Sequence, residues 1–565
     1  MTTRKSPNAT TDRATPDGVL RVIPLGGLGE IGRNMMVYEY GDTMIAVDVG
    51  LMFPDAEHPG VDLIIPDFTY ILENARRLKA VFLTHGHEDH IGAVPFLLRE
   101  LQVPVFCLQL TRGLVQVKLK EHRLLEGSEV NIVEPGDVID VGPFSVEFFS
   151  VAHSIPDSAG LLIDTPLGTV VHTGDFKIDH TPLFDQHTDL SRLASVGEEG
   201  ALLLCADSTY VEMEGHTPSE QRVAEALDRF IGAAEGRVIV TTFASLISRV
   251  QMVMDSAARH GRRVFVTGRS MVNNVGMARD LGYLQVPGNV MMHAGEMRNH
   301  PDSKTVIICT GSQGEPTSAL TRMANGTHQQ INIQAGDTVI LSSNPVPGNE
   351  KAVYKNIDLL MQSGAHVIYN RLADVHVRGH ASREELKIIH RLVRPRHFVP
   401  IHGEYRHLVL HRDLAIQLGM HPEDAFVLTD GEVLEIDAEA GEIVGTVPAD
   451  YIYVDGVSIG EIDDFVLRDR QRLADDGFVV IVAAIDRHTG KLARPPQVMS
   501  HAFAGAEEEP ALMDGVRQLV VDVLGGEDTA IDWSALHESL KDDVAEYLHR
   551  QTRRRPLVIP VTLEV

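Results

Sequence analysis

Three cysteines in 565 residues are too few for a disulfide framework. Cys107, Cys205 and Cys309 lie in apolar runs such as ALLLCAD and TVIICTG, which marks them as reduced core thiols and points to the cytoplasm. No stretch reaches the about 18 consecutive apolar residues that a membrane span requires. The opening segment, MTTRKSPNATTDRATPDG, lacks the apolar block of a signal peptide, and residues 1–18 are expected to form a disordered tail. Beyond that tail there is no low-complexity block, and no internal repeat. Positive charge is also scarce. Fifty Lys and Arg face 79 Asp and Glu, a net charge of −29, which excludes a protein that coats nucleic acid by bulk electrostatics. A polyanionic substrate would need a local groove and bound cations to attract it.

What the chain has in quantity is histidine, 27 in all and many of them clustered. Imidazole is the commonest side-chain ligand for transition metals. Around these clusters, short β-branched runs (MIAVDVG, AVFLTHG, TVVHTGD, RVIVTTF, TVIICTG) alternate with helical patterns such as SLISRVQMVMDSAARHG, the pattern of an α/β protein. Residues 130–152 instead predict antiparallel hairpins with Pro-Gly and Gly-Pro turns. A fresh unit opens near residue 216, where Thr217–Glu220 predicts a capping box. After residue 450 the texture becomes acidic, then strand-turn-strand, then two amphipathic helices, predicting a small α+β domain.

The sharpest local signal is Thr84-His85-Gly86-His87-Glu88-Asp89-His90, directly after the strand KAVFL. Extended backbone sends His85 and His87 to one side. Asp89 and His90 follow where the chain enters a helix, so one turn can serve two cations. Paired divalent cations of this kind activate water and clamp the attacking and leaving oxygens of phosphoryl chemistry. A surface loop rich in histidine would not require the buried strand before it or the helix after it.

This HxHxDH pattern resembles the signature of the metallo-β-lactamase superfamily. The resemblance implies a four-layer αββα sandwich. Asp48 in MIAVDVG matches the aspartate that organises the metal loop, His153 in SVAHSIPDS a third ligand motif, and Asp175 in VVHTGDFK the bridging carboxylate. By that resemblance His85, His87, His153 and Asp175 hold one cation, and Asp89, His90, Asp175 and His402 the other. Zn2+ suits the histidine-rich set, with Mn2+ as the alternative because Asp89 and Asp175 add oxygen donors.

Residues 200–403 look like the β-CASP insertion of nucleases that act on RNA or DNA. Its three marks are Asp207 in LLCADST, His380 in HVRGHASREE and His402 in VPIHGEYRHL, and histidine at 402 leans towards RNA. The motifs CTGSQGEP (309–316), SSNPVPGNE (342–350) and HVRGHAS (376–382) closely resemble those of bacterial ribonucleases of this branch. The implied division is a metallo-β-lactamase domain over 19–215 and 371–450, a β-CASP domain over 216–370, a linker over 451–465 and a C-terminal α+β domain over 466–565. The last is expected to form a homodimer or homotetramer. Asp48, Asp89, Asp207 and His380 are the expected catalytic groups, with Asp207 pairing to His380. His376, Val377, Arg378, Gly379, His380 and Ser382, together with Ser245 and Ser312, are the expected substrate contacts, since glycines and backbone amides at helix starts suit phosphate. The implied activity is 5′-to-3′ exonuclease and endonuclease cleavage of single-stranded RNA. It would leave 5′-phosphate products, prefer 5′-monophosphate ends, and serve mRNA decay and rRNA maturation. A small-molecule hydrolase would have no use for residues 216–370, and a non-catalytic RNA scaffold would not keep every ligand.

Overall fold

A computed structural model describes residues 15–16, 18–55, 57–184, 186–346, 348–456, 458–487, 491–503, 509–524 and 533–565. Most of the tail expected over 1–18 therefore lies outside the described residues. Thr15, at its end, is buried, and its hydroxyl donates to Glu39 Oε2 at 3.1 Å. The chain divides into two compact units, residues 1–53 with 64–452, and residues 54–63 with 453–565.

Two sheets face each other in the first unit. An eight-stranded mixed sheet carries Leu20–Gly26, Met35–Tyr40, Thr43–Val47 and Leu78–Phe82 at its centre. A six-stranded sheet carries Phe144–Val151, Ser158–Thr165, Gly168–His172, Leu203–Asp207 and His397–Ile401. Side-chain alternation along Phe144–Val151 shows how the layers form. Val146 and Phe148 point into the core shared by the two sheets, where Phe148 lies 6.0 Å from Phe82, ring to ring. Phe149 and Val151 point the other way, into a core with Leu193, Leu386, Ile389 and Leu414 from flanking helices. Truncating a fully buried ring such as Phe148 to alanine costs about 3–5 kcal/mol. The result is the four-layer αββα sandwich, and both sheets end their strands at one edge, where the histidines gather.

The hairpins expected over 130–152 form in part. Val138–Val141, Phe144–Val151 and Ser158–Thr165 are antiparallel neighbours, but Val130–Ile132 instead pairs in parallel with Val105–Cys107 in the other sheet. The inserted region builds an all-parallel sheet from Arg263–Val266, Thr305–Cys309, Val238–Thr241, Thr338–Leu341 and His366–Ile368 with the short Met291–Met292 at one edge. Its central strands are buried along their whole length, as continuous apolar runs covered by helices on both faces must be.

The capping box expected at Thr217–Glu220 is not made. The helix starts at Gln221, and Glu220 turns inward to bind Arg249 Nη2 at 2.8 Å, because a buried guanidinium is a stronger partner than a helix terminus. Thr217 is used elsewhere, its hydroxyl donating to the carbonyl of His380 at 2.8 Å.

In the second unit, Phe478–Ile485 pairs antiparallel with Gln497–His501 and in parallel with Leu557–Glu564, under the helices Glu509–Leu524 and Trp533–Thr552. Residues 54–63 join this unit rather than the sandwich, since the Asp62 amide donates to Val454 O and Arg470 donates to Gly60 O, both at 2.8–2.9 Å. The segment expected as a linker over 451–465 contains paired strands, Tyr451–Asp455 and Ser458–Ile459, as its β-branched content favours.

Candidate metal centre

The loop after Leu78–Phe82 brings four of the predicted ligands to the sheet edge. Asp48 anchors it. Held at φ +61°, Asp48 accepts from the Thr84 amide on Oδ1, and from the Thr84 hydroxyl and His90 Nδ1 on Oδ2, each at 2.8 Å. Gly50 allows the loop to close, because a Cβ there would lie 1.7 Å from the carbonyl oxygen of Asp89. Asn34 Nδ2 donates to the same carbonyl at 3.1 Å.

Three of the inward-facing rings are aimed by a bond on the other nitrogen. His90 gives Nδ1–H to Asp48, His153 gives Nδ1–H to Gly379 O at 2.7 Å, and His402 gives Nδ1–H to Thr209 Oγ1 at 2.8 Å. Their Nε2 atoms, with His85 Nε2, surround Asp175 Oδ2 at 3.2–3.8 Å. His87 Nδ1 lies 3.0 Å from His85 Nε2 and 3.2 Å from His153 Nε2. One ring nitrogen cannot bond two others at once, so lone pairs converge on a shared point. A divalent cation is the group that such a point fits.

The donors fall into two such points, His85, His87, His153 and Asp175 for one, and Asp89, His90, Asp175 and His402 for the other. Asp175, Asp207, His380 and His402 also lie within reach of one another. There, however, His380 Nδ1 is committed to Asp207 Oδ2 at 2.7 Å, and Asp207 Oδ1 to Thr209, so we count two cation positions rather than three.

The two clusters differ electrostatically. Burial pushes His85 and His153 well below the usual imidazole range and His87 down to about 4, leaving neutral ligands. Burial acts in the same sense on His90 and His402, but the neighbouring carboxylates, Asp175 foremost, outweigh it. They hold His90 well above its usual value and His402 at about 9. Burial likewise opposes the charge on Asp175 and Asp89, and the facing histidines more than offset it, so both are lowered. The second cluster thus holds protons that a cation would displace.

The remaining predicted residues are placed as follows. Gly379 lies against His153, and a Cβ at 379 would meet the ring at 2.6 Å. Arg378 stacks over Tyr210, 5.1 Å from the ring centre, and Tyr210 meets His380 edge-on. Val377 is buried, and His376 has a buried Nδ1 without a hydrogen-bond partner. Burial, then Arg249 and Lys177, pushes His376 down to about 3. Ser382 is buried as the N-cap of Arg383–Val393, in a capping box with Glu385. A shallow, solvent-open cleft lies beside the first cluster, lined by His153, Ser154, Ser248, Lys177, Glu220 and Phe184 among others. Ser248 lines it, whereas Ser245 and Ser312 do not, Ser312 being buried beside Ser343. Lys177 Nζ and Glu220 Oε1 are buried in its wall without hydrogen-bond partners. Thr209 and Lys177 carry no motif, and only long-range contact identifies them; Thr84, Thr217 and Glu220 lie in patterns that did not assign them these contacts.

Fold and centre together define a metallohydrolase of the metallo-β-lactamase class with an inserted β-CASP domain. Family models agree. "Beta-lactamase superfamily domain" matches residues 58–240, "Ribonuclease J, beta-CASP domain" 235–360, "Zn-dependent metallo-hydrolase RNA specificity domain" 365–428, and "Ribonuclease J C-terminal domain" 465–565. Ribonuclease J of Thermus thermophilus is 43% identical over 560 residues, covering 97% of this chain and 96% of that one. Ribonuclease J2 of Bacillus subtilis is 39% identical, covering 97% and 99%. A crystal structure of a protein of unknown function from Enterococcus faecalis, 18% identical with a TM-score of 0.52, covers 74% of this chain and 100% of its own, and shares the fold. The chain belongs to the ribonuclease J family. It is a divalent-metal-dependent hydrolytic ribonuclease that binds RNA.

Proposed function

We propose that this ribonuclease trims single-stranded RNA from the 5′ end and also cuts internally, leaving 5′-phosphates, in mRNA decay and rRNA maturation. The observation that carries the directional reading is the 2.7 Å bond between His153 and Gly379. It sets the segment His376–Ser382 against a cation ligand. A 5′-phosphate held by Arg378 and the neighbouring amides of that segment then lies about one nucleotide from the reacting bond. In this reading His85, His87, His153 and Asp175 hold one cation, and Asp89, His90, Asp175 and His402 the second, Zn2+ first and Mn2+ as the alternative. When bound, the pair supplies Lewis acidity to water and to the phosphate oxygens.

The chain's own groups do the rest. Asp48 keeps His90 in one tautomer. Asp207 accepts from His380 Nδ1, which leaves His380 Nε2 to pass a proton to the departing 3′-oxygen. Among the described residues no helix is long and apolar enough to cross a membrane, and the three buried, free thiols suit the cytoplasm. The exposed Met499, Ile559, Val561 and Leu563 on the C-terminal sheet support self-association into a dimer or tetramer. The test is a matched pair of RNAs with 5′-monophosphate and 5′-triphosphate ends. Faster degradation of the first is expected, and equal rates would remove the 5′-end pocket.

A further inference from the structure

Thr209 lies two residues beyond Asp207 and is not among the ligands, yet its hydroxyl joins the two halves of the centre. Its Oγ1 stands 2.7 Å from Asp207 Oδ1 and 2.8 Å from His402 Nδ1. A carboxylate oxygen only accepts, so the single hydroxyl proton goes to Asp207. That leaves the oxygen lone pairs for His402, and Nδ1 must be the donor. The carbonyl of His402, 3.1 Å away, is the weaker competitor for the same proton. The Thr209 amide adds a second bond to Asp207 Oδ1 at 2.9 Å, so this oxygen is filled by Thr209, while Oδ2 receives His380. His402 sits at φ +51°, a left-handed backbone conformation that the surrounding structure must hold.

We propose that Thr209 is a positioning residue that fixes the tautomer and direction of His402, and through it the affinity of the second cation position. The inference rests on the two-cation reading above. Direction of transfer runs in one line, from His402 Nδ1–H to Thr209 Oγ1, and from Thr209 Oγ1–H to Asp207. Removing the hydroxyl leaves a buried N–H without its acceptor and frees the ring to rotate or to take the other tautomer, with Nε2 no longer a lone-pair donor. The first position, built on His85, His87 and His153, has no contact with Thr209 among those described and keeps its affinity.

The experiment is stepwise calorimetric titration of the metal-free full-length protein with Zn2+ alone, on wild type, Thr209→Val and Thr209→Ser, with thermal melting of each. Wild type is expected to take two cations per chain. Thr209→Val keeps the stronger step and weakens the second about 10–100-fold, and Thr209→Ser restores it. Two unchanged steps in Thr209→Val would overturn the proposal. So would equal weakening of both steps with a lowered melting temperature, which marks a purely structural role. A wild type that binds fewer than two cations would overturn the two-cation reading itself, and this proposal with it.

Discussion

The ring of His153 donates from Nδ1 to the carbonyl oxygen of Gly379 at 2.7 Å across 226 residues of sequence. This bond decides which nitrogen faces the first cation position. The contact leaves no space for a side chain, since a Cβ at residue 379 would lie 2.6 Å from His153 Cε1 and 2.9 Å from Nδ1. Gly379→Ala is therefore expected to turn the ring and weaken the first Zn2+ step about 10–100-fold. RNA cleavage should fall in parallel. Calorimetric titration and cleavage rates on one preparation check this, and unchanged binding would contradict it.

Asp207 touches His380 rather than the cation positions we assign. Asp207→Asn is expected to lower kcat about 10²–10⁴-fold, the usual range for losing a proton-transfer group. KM for RNA should change little, because neither residue is placed to hold the substrate's distant nucleotides. Steady-state kinetics on a 5′-monophosphorylated RNA separate the two constants.

Ser382 caps a helix whose first turn contains Glu385, and the Glu385 carboxylate accepts from the Ser382 amide at 2.8 Å. Glu385 in turn accepts from the amides of Ile178 and Thr217. Ser382→Ala is expected to cost about 1 kcal/mol of stability and to leave the affinity for RNA nearly unchanged. Denaturant unfolding and a binding titration measure the two effects. A large loss of RNA affinity at constant stability would return Ser382 to the substrate contacts.

His390 and His411 form a buried pair, Nε2 to Nε2 at 3.2 Å, with Ser208 on the far side of His411. Burial, then Arg391, pushes His390 from 6.5 down to about 4. The folded state therefore binds fewer protons than the unfolded chain. Its contribution is fully present above pH 6.5 and is lost as the pH falls towards 4, a change worth about 3 kcal/mol. Stability of the metal-free protein should decline through that window, and His390→Leu should make the decline shallower. An identical slope in the variant would contradict the assignment.

The centre was legible in the sequence where its donors are local. His85, His87, Asp89 and His90 fall within one turn, and the strand before them fixes their directions. Asp48, His153, Asp175, Asp207 and His402 each end or follow a strand, His380 precedes the helix Arg383–Val393, and all were legible through motif order. Thr209 was not, because a threonine after a strand has no signal until His402, 193 residues on, is folded against it. Glu220 misled for a related reason. Its local pattern favours a helix cap, and Arg249, 29 residues away, outbids it. Residues 54–63 leave the sandwich for bonds that no local pattern encodes, the Asp62 amide donating to Val454 O and its carboxylate accepting from the Gly456 amide. Ser382 satisfied both readings, a phosphate contact and an N-cap, and its buried hydrogen bonds favour the cap.

Metal content and RNA products, measured on the same purified chains, test the central claim most directly. Wild type should carry two divalent cations and release 5′-phosphorylated products, whereas His402→Ala should carry one and leave RNA intact. Normal cleavage by wild type stripped of all metal, or by His402→Ala, would contradict the account.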